Sequence, residues 1–228
     1  MSAAADVPVT QRKDLSLGEA FREFCRWPSP RALAAIVVAA AVVRVALGDW
    51  GTADWVLPLV MIAAWPVSEW TTHILLLHMK PKQLGRVELD PLFARKHREH
   101  HADPTDTELV FLPMVVVVTL LGAIVVAIPT LFPSIERGVT FLLALSIIAL
   151  GYEWTHYLVH TTYRPRTAPY RALWRHHRLH HYKNENYWFG LTTTGADHLF
   201  GTAPDAGDVE RSPTARDLLG TGASSETG

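Results

Sequence analysis

The run MVVVVTLLGAIVVAI at 114–128 has no charged side chain and no polar face. A helix that is apolar all the way round has to be enclosed by apolar matter, either a protein interior or lipid. VTFLLALSIIALGY at 139–152 has the same character. A bilayer core about 30 Å thick needs about 20 such residues per crossing. Four segments qualify, at about 32–48, 54–78, 109–132 and 139–159. The first is the shortest and carries Arg44. The alternative, a soluble bundle of buried helices, has to do without the polar face that such helices turn to water.

Basic residues are placed as a membrane protein requires. All but Arg44 and Arg137 of the 21 lysines and arginines lie before the first span, between the second and third, or after the fourth. Basic loops stay on the cytoplasmic side, so both termini and the middle loop are expected there. The opposite loops, GDWGTAD and PSIERG, are short, and Trp27, Trp50 and Trp55 flank the first span at headgroup level. Residues 1–30 are expected to be a cytoplasmic lead-in without the basic-then-apolar pattern of a signal peptide. Residues 31–202 form the membrane domain. Residues 203–228, rich in Gly, Ser, Thr and Ala, are expected to be a disordered tail. The expected fold is therefore all-α, a bundle of four transmembrane helices under a cytoplasmic, histidine-rich helical cap.

A net charge of −1 gives no bulk argument for nucleic acid as a partner. Cys25 is the only cysteine, which excludes intrachain disulfides, zinc ribbons and cysteine-ligated iron–sulfur clusters.

The twelve histidines carry the chemistry. None occurs before residue 73 or between 102 and 155. Ten form four groups in the order pair, triplet, pair, triplet: His73 and His78; His97, His100 and His101; His156 and His160; His177, His180 and His181. EWTTH ends the second span and EWTH sits near the end of the fourth, which suggests a pseudo-repeat whose halves each give five imidazoles to one shared centre. Residues four apart on a helix point within about 40° of each other, so His156 and His160 can converge. A triplet at i, i+3, i+4 covers about 100° and can serve one metal or straddle two. His73 and His78 are five apart and an ideal helix would splay them by about 140°. Either that helix distorts at its end or the two bind different ions.

Nitrogen-rich ligation suits zinc, copper, iron or nickel. One structural zinc saturates with four ligands, so ten imidazoles imply two ions or one with many spares. A dinuclear centre with open positions is the arrangement that activates dioxygen, with iron the usual metal; the residues alone leave zinc open. Histidines at the inner ends of apolar helices lie where a lipid can reach them. Oxygen insertion consumes two electrons, and no flavin, haem or iron–sulfur module is apparent, so an external donor of reductase, ferredoxin or cytochrome type is implied. A membrane metal transporter or sensor would need polar groups across the bilayer, which the third span lacks. A bis-histidine haem protein needs far fewer histidines.

The motifs HILLLH (73–78), HREHH (97–101), HYLVH (156–160) and HRLHH (177–181), with NYWFG at 186–190 and DHLFGT at 197–202, resemble the fatty acid hydroxylase superfamily, which includes sterol desaturases and carotenoid hydroxylases. The resemblance implies an integral membrane di-iron enzyme that hydroxylates or desaturates a lipid with O2 and outside electrons, and carries the ten motif histidines over as ligands. Ala196 stands where the family often has tryptophan, and His198 where it often has arginine. His176 and His198 fall outside the pattern and are expected beyond the ligand shell or facing solvent. Glu69 and Glu153 precede His73 and His156 by about one turn, and are expected either to orient imidazole N–H groups or to pair with Arg44 or a backbone group. Asp197 is expected to cap a turn.

Overall fold

The computed structural model describes residues 9–220. Four helices are long and apolar enough to cross a membrane: α2 (Pro28–Leu47), α3 (Thr52–Thr72) with its continuation to Leu77, α6 (Met114–Leu131) with the preceding short helix α5 (Thr107–Val110), and α7 (Ile135–Val159). They follow α1 (Leu17–Phe24), whose Ser16 and Glu19 form a reciprocal capping box. The expected spans agree with these helices to within a few residues, and the first is longer than expected because Pro28 starts it at N1, where a missing N–H costs nothing.

The α7 helix packs against α2, α3 and α6 and is the axis of the bundle. Its glycine at 138 lets α6 close in, since a Cβ there would run into Ile128. Two apolar cores result. One, around Leu33, Val117, Leu121 and Leu142, lies between the spans. The other, around Phe24, Phe111 and Tyr157, joins α1 to the histidine-bearing end of α7. Many other aliphatic side chains face outward, such as Val126 at 79% exposure, as suits helices solvated by lipid.

Arg44, the charge that weakens the first span in the sequence, is only 1% exposed. It pairs with Asp54 at 2.8 Å and donates to Thr140 at 2.9 Å, tying α2, α3 and α7 together at the end away from the histidines. A buried charge is tolerable only with such partners.

Between the second and third spans the chain forms a short hairpin, β1 (Lys82–Leu84) and β2 (Val87–Leu89), then α4 (Leu92–Ala102). The hairpin is a small departure from the all-α expectation. Its two-residue turn places Gly85 at φ 64°, the positive φ such turns require. Arg98 clamps it to α4 by donating to Asp90 at 2.6 Å and to the Met79 carbonyl at 2.7 Å. After α7 come α8 (Ala168–Tyr182) and α9 (Gly195–Phe200).

The expectation of a disordered tail from 203 needs correction up to residue 220. Ala215 and Leu218 are buried, Ser212 N–H donates to the Lys183 carbonyl at 2.7 Å, and Lys183 reaches the Ala206 carbonyl. The polar composition that suggested disorder instead supplies hydrogen bonds to the cap. Residues 221–228, the rest of that expectation, lie outside the described residues.

Candidate metal centre

The ten patterned histidines meet in two clusters. His73, His78, His97, His101 and His180 form one; His100, His156, His160, His177 and His181 form the other. Within each, one ligand nitrogen per residue lies within 4.8 Å of all the others. The clusters adjoin, with the His101 and His181 rings 4.2 Å apart between centroids.

Both halves contribute to both of the adjoining clusters, so the clusters do not divide by halves. Each half keeps four histidines in its own cluster and sends the middle one of its triplet across: His100 joins the second half's set and His180 the first half's. The cause is helical phase. On α4, His97 and His101 are four apart and share a direction, while His100 is rotated to the other side of the arc. The same holds on α8 for His177 and His181 against His180. Each triplet therefore straddles two positions, one of the two options its spacing allows.

His73 and His78 share a cluster because the helix changes its winding. Residues His73–Leu77 form a π-helical turn in which His78 N–H donates to the His73 carbonyl at 3.1 Å. This i→i+5 bond overcomes the splay of an ideal helix and leaves the rings 4.9 Å apart.

The hydrogen bonds at the cluster edges fix where the lone pairs point. His73 Nδ1 lies 2.6 Å from the Phe189 carbonyl, His180 Nδ1 2.8 Å from that of Tyr187, and His101 Nδ1 3.0 Å from that of Ala215. A carbonyl only accepts, so each Nδ1 carries the proton and each Nε2 is a bare lone pair. His97 Nε2 faces two of these, on His73 at 3.1 Å and on His101 at 3.2 Å, and has at most one proton to offer. His78 Nε2 and His180 Nε2 are buried without a hydrogen-bond partner. In the second cluster the Nε2 atoms of His156, His100, His160, His177 and His181 lie in a chain of contacts 2.9–3.1 Å apart. Backbone groups of Val110 and Pro104 hydrogen-bond His156 and His160 from outside. Converging lone pairs in a buried space repel unless a cation sits among them, so the donor set fits metal ions in both clusters. Burial, and then neighbouring imidazoles, push His78, His97, His100, His177 and His181 well below the ordinary histidine value. They are neutral near pH 7, the state a ligand must have.

The loop 184–192 carries two of the edge carbonyls, and Asp197 holds it. The carboxylate accepts from Phe189 N–H at 2.9 Å, Gly190 N–H at 2.6 Å and the Thr202 hydroxyl at 2.6 Å, and pairs with His176 at 2.9 Å. Gly190 must be glycine, because a Cβ would strike the Thr193 carbonyl and the Asp197 carboxylate. Asp197 thus secures a turn, as expected, and through Phe189 it positions His73. His176 is buried against Asp197 and belongs to neither cluster.

Of the alternatives for Glu69 and Glu153, the backbone partner holds and the imidazole does not. Neither Glu69 nor Glu153 bonds an imidazole among the described residues. Glu69 accepts from the Thr192 N–H at 3.0 Å and hydroxyl at 2.9 Å; Glu153 accepts from the Ser29 hydroxyl at 2.8 Å and Leu112 N–H at 2.9 Å. Both satisfy backbone and hydroxyl donors on neighbouring chain segments at the membrane end of the cap. Arg44, their suggested partner, is held by Asp54 instead. His198 is exposed on α9, as expected, and belongs to neither cluster. Missing from the sequence reading are the carbonyls of Phe189, Tyr187 and Ala215, and Arg216, which donates to the His101 carbonyl at 2.9 Å. Backbone acceptors carry no residue-type signal.

A cavity of about 260 Å³ opens beside the first cluster. Its lining joins His73, Glu69 and Thr72 to Leu33, Trp65, Leu77, Leu112, Val116, Val117, Leu120, Leu121, Leu145, Ala149 and Tyr152.

A helical bundle of four candidate spans, capped by two all-imidazole clusters able to hold metal, defines a multi-pass membrane metalloprotein. The chain belongs to the fatty acid hydroxylase family, whose model matches residues 58–202. It is 27% identical over 150 residues to a dihydroceramide fatty acyl 2-hydroxylase of Arabidopsis thaliana, a match covering 63% of this chain and 58% of that protein. It is 29% identical to the fatty acid 2-hydroxylase of Macaca fascicularis and 28% to that of Homo sapiens, covering 62% and 60% of this chain and 37% of each relative. The fold resembles a solved structure of full-length scs7p in which only the hydroxylase domain is visible, with a TM-score of 0.65 and 24% identity, covering 82% of this chain and 69% of the other.

Proposed function

We propose that this chain is an O2-dependent monooxygenase that hydroxylates a fatty acyl lipid at the carbon next to its carbonyl. In this reading the histidine clusters and both termini face the cytoplasm, as the distribution of lysine and arginine favours. The observation that carries the reading is the cavity beside the first cluster, whose walls are mostly apolar side chains of the bundle and include His73. A hydrocarbon tail gains by leaving its neighbours for such a slot only if it is held in one pose, and the slot fixes which carbon meets the site. The polar end of the lipid and the reacting carbon then lie together beside His73. The named 2-hydroxylases among the relatives support the same position.

The ten imidazoles would hold two iron ions, which supply the binding and reduction of dioxygen. The chain's own residues do the rest. Phe189, Tyr187 and Ala215 hold imidazole N–H groups outward so that lone pairs face inward. Asp197 fixes the loop that carries the first two. The apolar walls exclude water from the reacting carbon. Zinc could occupy the same nitrogens in a purified form but would not support the redox chemistry.

The test is anaerobic purification, addition of reductant and a long-chain acyl lipid, and mass spectrometry of the product. One added oxygen at carbon 2 supports hydroxylation. Loss of two hydrogens would assign desaturation to the same site. Filling the slot with Ala149→Phe is expected to lower turnover of long acyl chains at unchanged iron content.

A further inference from the structure

No aspartate or glutamate occurs between Glu153 and Glu185, while Arg164, Arg166, Arg171, Arg175, Arg178 and Lys183 all do. Arg171, Arg175 and Arg178 are exposed on α8 at i, i+4 and i+7, which is one face of the helix. None of these three forms an ion pair among the described residues, whose five pairs involve Arg26, Arg44, Lys96, Arg98 and His176. Arg178 lies over the rings of Trp174 and Tyr182 at 4.8 and 5.0 Å, forming an aromatic–guanidinium ladder along the helix. Tryptophan, tyrosine and arginine are the residues over-represented where partners bind tightly.

The opposite face of the same helix carries His177, His180 and His181, which serve both clusters. The basic face is therefore separated from the metal site by one helix, about 10–12 Å across with its side chains. Arg178 is close enough to His160 to act on it electrostatically.

We propose that the Arg171–Arg175–Arg178 face of α8 is the docking surface for an acidic one-electron carrier protein. The inference rests on the oxygenase reading. Each turnover, C–H + O2 + 2 H+ + 2 e− → C–OH + H2O, takes two electrons, so a one-electron carrier of the reduced iron–sulfur or haem class must bind twice and leave oxidised twice. Such a partner needs fast, reversible, electrostatically steered encounters, which an unpaired basic face provides. An anionic lipid surface is the competing occupant. A helix that lies in a membrane surface buries an apolar face, and the inner face of α8 is made of imidazoles instead.

The experiment uses the full chain in lipid nanodiscs, with two soluble acidic probes, a [2Fe–2S] ferredoxin and a cytochrome b5 haem domain. Binding is measured by surface plasmon resonance across a salt series. Arg171→Glu with Arg175→Glu leaves the Trp174–Arg178–Tyr182 ladder intact; Arg178→Glu is the second variant. The expected result is binding of at least one probe that weakens steeply with salt and falls about tenfold or more in the double variant, at unchanged metal content and melting temperature. No binding of either probe to the wild type, or binding that ignores both salt and charge reversal, overturns the proposal. So does a loss confined to vesicles containing anionic phospholipid. Turnover of the wild type with dithionite is measured separately: its absence while probe binding behaves as expected counts against the oxygenase reading and leaves the docking face standing.

Discussion

The backbone N–H of His78 donates to the carbonyl of His73, five residues back, at 3.1 Å. That bond makes the turn between them π-helical and puts both imidazoles into one cluster. Deleting the exposed Leu75 would shorten the spacing to the four residues that separate His156 and His160. The flanking chain cannot follow, because Arg98 pins the Met79 carbonyl. Metal affinity of the first cluster is expected to fall about tenfold or more, in line with losses seen when ligand orientation is disturbed. Chelator competition would measure it, and unchanged affinity would remove the role assigned to the turn.

Asp197 holds four donors at once, so its removal should be felt at His73. Burial raises its pKa, but the His176, Thr202 and Gly190 hydrogen bonds outweigh burial and hold the carboxyl below the usual range. Asp197→Ala leaves buried donors unpaired, including His176, and is expected to cost about 3–5 kcal/mol of stability and about 10–100-fold in metal affinity. Asp197→Asn keeps one acceptor oxygen and should lose less of both. Equal losses in the two variants would argue against the hydrogen-bonding account. Thermal unfolding and metal titration provide the readouts.

Residues beyond the matched family segment also serve the site. The Ala215 carbonyl orients His101, and Arg216 donates to the carbonyls of His101 and Ala102 at the end of α4. A cation there meets the negative end of the helix. Truncation after Thr202 is expected to weaken metal binding at the first cluster while all four spans remain helical. Arg216→Ala should show a smaller effect of the same sign. Full metal retention in the truncated chain, read by elemental analysis beside circular dichroism, would contradict this.

How much of this was legible in the sequence follows from the kind of signal each feature leaves. The spans were readable because lipid demands apolarity on every side of a helix, as at 114–128. The ten histidines were readable because their spacing matches helical geometry. The exchange of His100 and His180 between clusters depends on how α4 and α8 are turned toward each other, which spacing alone leaves open. For Glu69 and Glu153 the sequence left an imidazole and a backbone group open as partners, because one helical turn from a histidine looks like proximity; their carboxylates turn to Thr192, Ser29 and Leu112. The tail misled because its polar composition matches disorder as well as it matches a segment held by hydrogen bonds.

Acid should destabilise the metal-stripped protein. Burial pushes His101 down to about 3 and its neighbours His97, His100, His177, His180 and His181 well below the ordinary value. The unfolded chain, with histidines near about 6.5, therefore takes up protons first as pH falls, and proton uptake favours the state that binds more. Stability is expected to be full above about pH 6.5 and to decline steadily toward pH 3. Denaturant midpoints at pH 7 and pH 5 would measure the trend, and a higher midpoint at pH 5 would contradict it.

The most direct measurement of the central claim is metal content combined with iron K-edge X-ray absorption on protein purified without oxygen. The expected result is two iron ions per chain in an all-nitrogen and oxygen shell, falling toward one when His78 and His97 are both replaced by alanine. A single ion in the wild type, none at all, or a stoichiometry unmoved by that double replacement would contradict the two-cluster account.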